Sequence, residues 1–190
     1  VEVLEAHFDD LTADQGSEIP APASGPTDSP TAPTADAADV VSVFSDAYTN
    51  IATNYNPGWG QSGSVSTSFD PGDGNNVMLY SNFNYQGTDL TSTDLTAMEK
   101  LHIDIWVADA SVRTIKVSPI GGSETLVTVP VTSGAWNSVD IPLSSFTAVD
   151  FSAVGQLKFD GQFAADGTTA DTAVRSDVYL DNIYFYKEST

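Results

Sequence analysis

The chain has 190 residues, 41% of them hydrophobic, and sets 26 acidic residues against six Lys and Arg for a net charge of −20. That is apolar material enough for a sizeable core, while so negative a chain repels phosphate backbones and anionic surfaces, which argues against nucleic acid as a partner. Cysteine is absent, which removes disulfides, thiolate catalysis and Cys-based zinc sites, and no stretch approaches the ~18 apolar residues of a membrane span.

The chain opens at Val1 without a signal peptide, as a mature product or a fragment does. Residues 1–19, VEVLEAHFDDLTADQGSEI, mix apolar and acidic side chains and read as a tail or the end of a preceding module. Residues 20–39, PAPASGPTDSPTAPTADAAD, hold five of the ten prolines. Such a composition favours extended, polyproline-like geometry and reads as a Pro/Thr/Ala-rich linker. From Val40 to Lys187 the apolar period is two rather than 3.6. In LHIDIWVAD, Leu101, Ile103, Ile105 and Val107 share one face, while His102, Asp104 and Trp106 share the other. TIKVSPI, WNSVDIPLSSF, QLKFDGQ and VYLDNIYFY alternate in the same way, and NPGWGQSG, DPGDGNN, GTDLTSTD, GGS, SGAW and AADGTTAD punctuate them as turns. Short strands at this spacing predict an all-β, two-sheet antiparallel sandwich over residues 40–187, with 188–190 as the C-terminal end.

DVYLDNIYFY at 177–186 breaks its own pattern. Strict alternation puts Tyr179, Asp181, Ile183 and Phe185 on one face, so a carboxylate falls on an otherwise apolar surface. A carboxylate there needs a cation or several donors. With so few basic residues a salt bridge is disfavoured by count, and a hard cation held by oxygens, such as Ca²⁺, is the better physical candidate.

The ordered set VVSVFSDAYTNI (40–51), NPGWGQSG (56–63), MLYSNFNYQG (78–87), LHIDIWVAD (101–109), WNSVDIPLSSF (136–146) and VYLDNIYFY (178–186) resembles the calcium-binding jelly-roll carbohydrate-binding modules, of the kind joined by Pro/Thr linkers to secreted bacterial β-glucanases. The resemblance covers about residues 39–187. It implies that the first and last strands lie side by side and share a structural Ca²⁺, with Asp46 and Asp181 among its ligands. The competing reading has Asp46 capping a turn and Asp181 taking backbone donors. DPGDGNN lacks the EF-hand spacing and its terminal Glu, and reads as a tight turn. Trp136 reads as structural.

Catalysis finds little support. His7 and His102 are the two histidines, far apart in sequence, and no G-x-S-x-G, phosphate loop or H-E-x-x-H occurs. Carboxylates abound, but most sit in turn clusters where Asp serves the backbone. The chain reads as no enzyme. Sugar binding wants a flat π-face flanked by amides and carboxylates. Trp59 lies in a Pro-Gly-Trp-Gly loop that no strand pattern assigns to a core. Trp106 shares its polar alternate with His102 and Asp104; on the MLYSNFNYQG strand Tyr80, Asn82, Asn84 and Gln86 share one face; and Gln156, Lys158 and Asp160 line the polar face of QLKFDGQ. The expectation is that these three groups share one sheet face, with Trp106 as stacking platform and Trp59 as a wall. For each residue alone, a solvated face with an incidental aromatic is the competing reading. The whole predicts a non-catalytic module that docks a secreted or cell-surface protein onto a polysaccharide, possibly a β-glucan. The rival is a structural or adhesive β-sandwich of an extracellular assembly, with residues 1–39 contacting a neighbouring subunit or module.

Overall fold

The computed structural model describes residues 25–161 and 176–189. The tail over 1–19 with His7, the start of the linker and the AADGTTAD turn lie outside these residues. The strands are β1 (Val40–Phe44), β2 (Ala52–Asn54), β3 (Ser64–Phe69), β4 (Val77–Phe83), β5 (Tyr85–Thr93), β6 (Lys100–Val107), β7 (Thr114–Gly121), β8 (Ser123–Glu124), β9 (Val127–Pro130), β10 (Asn137–Pro142), β11 (Val154–Asp160) and β12 (Ser176–Tyr186). Helix among the described residues is limited to two three-residue 3₁₀ turns, Ala37–Asp39 and Leu143–Ser145.

The first sheet runs β10-β6-β12-β4-β3, and β1 pairs with the C-terminal half of β12. The second runs β2-β5-β11-β7-β8, with β9 also on β7. All strand pairs are antiparallel, as the period-two patterning of a sandwich requires. Between the sheets lie Leu101, Ile103, Ile105 and Val107 of β6, Ile115 and Val117 of β7, Leu157 and Phe159 of β11, and Val178, Leu180, Ile183 and Phe185 of β12.

That last set corrects the alternation expected for DVYLDNIYFY. Val178 and Leu180 point inward together with Ile183 and Phe185, which requires one residue to be slipped between them. The residue is Asn182, at φ 48°, where the β12–β6 register shifts between Asp181 and Tyr184. A residue with positive φ inserted in a ladder is a bulge, and Asn tolerates that backbone better than other side-chain-bearing residues. Asp181 thus faces away from the core, beside Tyr179, rather than into it. The same device ends β4: Asn82 has φ 50°, and the register against β12 shifts opposite it. MLYSNFNYQG is therefore two strands in two sheets, with Asn84 at the crossing.

Residues 25–39 do not hang free as a linker. They cross the outer face of the first sheet, where Val77, Trp106 and Tyr179 form a second apolar cluster with Phe69, Leu79 and Trp136 packed on it. Gly25, at φ 52°, backs onto the rings of Tyr179 and Phe69. The Trp136 indole N–H donates to the Asp28 carbonyl (2.8 Å), Asn182 Nδ2 to the Thr31 carbonyl (3.3 Å) and the Tyr48 hydroxyl to the Ala35 carbonyl (2.8 Å). Ser29 donates through its N–H and its hydroxyl to Asp73 in the DPGDGNN turn (2.7 and 3.0 Å). An extended Pro-rich segment has unpaired carbonyls to offer, and the sheet supplies the donors. A chain beginning at Asp36 should therefore melt at least about 5 °C below one beginning at Gly25, and should bind a hydrophobic dye that the longer chain excludes, as calorimetry and fluorescence would record; equal melting would mean that the strap contributes nothing.

Candidate functional site

The expected single binding face is divided between the sheets. β4 and β6 belong to the first sheet and β11 to the second, so the groups on them cannot share a surface. Tyr80 is 1% exposed in the core, stacked on Phe83 (5.6 Å between centroids), and burial raises its phenol pKa. Asn82 is exposed at its bulge, its N–H donating to Asp177 Oδ1 (2.9 Å). Asn84 is buried at the crossing and accepts the Ser62 N–H (2.9 Å). Tyr80 and Asn84 are buried, and the three do not share one face because the Asn82 bulge resets parity and the strand ends at Phe83.

The period-two reading of β6 holds, since its polar alternates do point outward, but the strap covers that outer face. Trp106 is 5% exposed and meets Tyr179 edge-on at 5.3 Å, so it is no stacking platform. His102 lies parallel on the Tyr184 ring (4.7 Å) between Asp140 (2.8 Å from Nδ1) and Asp104 (3.6 Å from Nε2). Burial pulls its pKa down, and the hydrogen bonds to the two carboxylates outweigh that and leave it raised. Asp104 is buried and accepts from Asn182 Nδ2 (2.8 Å).

Asp181, fully buried, accepts the Asn182 N–H (2.7 Å) and Asn75 Nδ2 (3.0 Å). Burial pushes its pKa up to about 6, and the charges of Asp46 and Asp104 push the same way against those two hydrogen bonds. No Lys or Arg among the described residues pairs with any of the three carboxylates. That surplus of negative charge suits a hard cation. No three His, Asp or Glu side chains among the described residues converge into a metal site by themselves, so an ion there would need main-chain oxygens in addition to Asp46 and Asp181. In metal-free protein the sign follows from the pKa values. Unfolded Asp titrates near ~3.9, so between pH ~4 and ~6 the folded chain holds a proton that the unfolded chain has lost, and stability falls as pH rises. Asp181→Asn should gain on the wild type by on the order of 2–3 kcal/mol from pH 4 to pH 6.5, measured by denaturant unfolding in EDTA; a constant difference would contradict the buried, uncompensated carboxylate.

The open face is the outer surface of the second sheet. Leu157 and Phe159 point inward, so Gln156, Lys158 and Asp160 point outward as expected. Register places Gln156 between Asp89 and Ile120, Lys158 between Gly87 and Ser118, and Asp160 between Tyr85 and Lys116. Gln156 Nε2 donates to Asp89 Oδ1 (2.9 Å), and Lys158 Nζ lies 3.0 Å from Glu124 Oε1. Trp59 leans in from the loop before β3, half-buried, with its indole over Gly87. Trp59, Tyr85, Ile120, Glu124, Lys158 and Asp160 line a cleft of about 560 Å³. Of the expected site residues, Trp59, Gln156, Lys158 and Asp160 come together here. Tyr85, Asp89, Ile120 and Glu124 complete the surface. For Tyr85 and Asp89 the signal in the sequence is the alternation Tyr85-Gly87-Asp89, which begins a new strand after Asn84.

Among solved structures, the family 11 carbohydrate-binding module of the cellulosomal cellulase Lic26A-Cel5E of Clostridium thermocellum is similar, with a TM-score of 0.53 at 18% identity, over 78% of this chain and 95% of that one. The family 30 module of the cellulosomal cellulase Cel9D-Cel44B of the same bacterium gives 0.53 at 18% identity over 80% and 99%. An agarase, AgWH50C, gives 0.53 at 9% identity over 80% of this chain and 25% of its own. At these identities the likeness is one of fold, a two-sheet β-sandwich. No family model and no curated protein matches the chain.

Proposed function

We propose that the protein is a non-catalytic carbohydrate-binding module that docks a secreted or cell-surface protein onto a neutral polysaccharide such as a β-glucan, through the outer face of β5, β11 and β7. The observation that carries this reading is Trp59, an indole lying on the open sheet beside a cleft lined by Tyr85, Lys158, Asp160 and Glu124. An indole face packs against the C–H face of a sugar ring, and fixed amides, carboxylates and ammonium groups alongside bond its hydroxyls. Two neighbours in fold are carbohydrate-binding modules of cellulosomal cellulases, which supports both the sugar and an extracellular setting. Glu124 of the cleft pairs with Lys158, and on the same sheet face Asp89 accepts from Gln156, an arrangement that suits binding better than proton transfer.

Affinity electrophoresis through gels containing laminarin, mixed-linkage β-glucan, agarose or alginate tests the reading. The wild type should be retarded by at least one neutral glucan and not by alginate. Trp59→Ala should lose retention, a fall of at least about thirtyfold in affinity, while Trp106→Phe, changed beneath the strap, should be retarded as the wild type is. A wild type that no polysaccharide retards would leave the structural, neighbour-contacting reading in its place.

The proposal includes one structural Ca²⁺ joining β1 to β12 through Asp46 and Asp181, with main-chain carbonyls completing its shell. The buried, uncompensated charge of Asp181 supports it. Bound metal stabilises the folded state by mass action. Millimolar Ca²⁺ should raise the melting temperature of EDTA-treated wild type and leave Asp181→Asn unmoved; a wild type indifferent to Ca²⁺ would remove the ion from the proposal.

A further inference from the structure

We infer that Gly87 and Gln61 are positioning residues that lay Trp59 flat on the second sheet before any ligand arrives, an inference that rests on the reading of that face as the sugar-binding surface. Gly87 is the third of the nine residues of β5, paired in regular register with Lys158. A glycine there weakens a strand and needs a reason. Backbone conformation is not the reason, because Gly87 is not among the positive-φ glycines. The reason is the indole. A Cβ added at Gly87 would lie 2.3 Å from Trp59 Cη2, 2.4 Å from Cζ3 and 2.5 Å from Cζ2. Near-equal distances to three consecutive ring atoms put that point over the face of the ring, not beyond its edge. A strand's Cβ stands roughly perpendicular to its sheet, so the indole lies parallel to the sheet, seated where only a hydrogen atom fits. One face of the ring is used up by the strand and the other is presented outward.

The loop is tied in that pose from its own side. The Trp59 N–H donates to Gln61 Oε1 (2.8 Å), and Gln61 Nε2 donates to Asn56 Oδ1 (3.0 Å) and the Pro57 carbonyl (2.8 Å). The Tyr85 hydroxyl, rising from the sheet two residues before Gly87, donates to the Trp59 carbonyl (2.9 Å). Gln61 is not part of the cleft lining, so it can influence a ligand only through the loop. A platform fixed in advance spares the complex the ordering cost of an exposed loop and a free indole. The same seat sets the height and tilt at which a sugar ring meets Trp59, and thereby which ring faces it can stack.

Two readouts test this, one of them independent of any ligand. In the wild type, nuclear Overhauser contacts should join the Trp59 indole protons to Gly87 Hα, with those Hα resonances shifted upfield by the ring. Gly87→Ala should abolish the corresponding contacts at residue 87, leave the melting temperature close to wild type, and weaken binding to the glucan that retards the wild type most by about tenfold or more. Gln61→Leu should weaken it by about three- to tenfold, as a loosened loop pays the ordering cost on binding. In a Trp59→Ala background, Gly87→Ala should add nothing further, because the two act as one unit. The inference is overturned if Gly87→Ala keeps the indole contacts, or if both Gly87→Ala and Gln61→Leu bind like a binding-competent wild type. Should the wild type bind no polysaccharide, the sugar reading falls, and the indole contacts alone decide the seat: their loss in Gly87→Ala supports it and their persistence overturns it.

Discussion

One bulge organises the first sheet. Asn182 interrupts β12 at φ 48°, and its side chain reaches three separate parts of the chain: Nδ2 to Asp104 of β6 (2.8 Å) and to the Thr31 carbonyl of the strap (3.3 Å), and Oδ1 to the Ser45 hydroxyl at the end of β1 (2.9 Å). Without the bulge, were β12 to run regularly through Asn182, its two halves would present opposite faces to the core, and either Val178 and Leu180 or Ile183 and Phe185 would point outward. With it, an eleven-residue strand serves two partners along one edge, β4 first and β1 after, while β6 follows the other edge throughout. The Asp-Asn pair at the middle of an apolar strand is thus the hinge of the sheet, and a polar one because a bulge frees main-chain groups that need partners.

The strap then gives the two outer faces different fates. Aromatic side chains stand on both, and by residue type alone the first sheet is the richer, with Trp106, Trp136, Tyr179 and Phe69. Residues 25–35 cover the Trp106, Trp136 and Tyr179 part of that face, and their carbonyls take up indole, amide and hydroxyl donors that a ligand would otherwise meet. The second sheet has no such cover over Gly87 and Lys158 among the described residues except Trp59 itself. Which aromatic is available for recognition is decided by what lies over it, a property of chain segments distant in sequence.

This is also where the sequence was legible and where it was not. Period-two alternation placed β6, β7 and β11 with the right faces inward, because each is a regular strand whose side-chain direction depends only on parity. It failed at Asn182 and Asn82, where a positive φ resets parity without any change in residue character; two Asn residues inside apolar runs were the only hint. Tyr80 and Trp106 were misplaced for different reasons. Tyr80 was grouped with residues beyond the Asn82 bulge, which resets parity, whereas Trp106 was assigned the correct face and then covered by a segment whose composition reads as linker. Trp59 and the β11 residues were legible as surface residues because a Trp between two glycines has no core to enter, and Gln-Lys-Asp alternates with Leu-Phe. Tyr85 and Gly87 could have been found from the same logic applied one strand later.

Charge shapes what the open face can recognise. Of six basic side chains, Lys116 and Lys158 both stand on β7 and β11 facing outward, among Asp89, Asp160 and Glu124. The surface is therefore dense in charge but nearly balanced, in a chain whose net charge is −20. Inside the cleft a neutral polyhydroxylated ligand can exchange water for donors and acceptors already held in pairs, so that no lone charge is stripped of solvent. At longer range the surplus of carboxylates elsewhere repels polyanions before contact. Under the proposed function, selection against sulfated or uronic chains would come from the whole molecule, whereas selection among neutral glycans would fall to the cleft: to the tilt of Trp59 over Gly87, and to which hydroxyls reach Lys158, Asp160 and Tyr85.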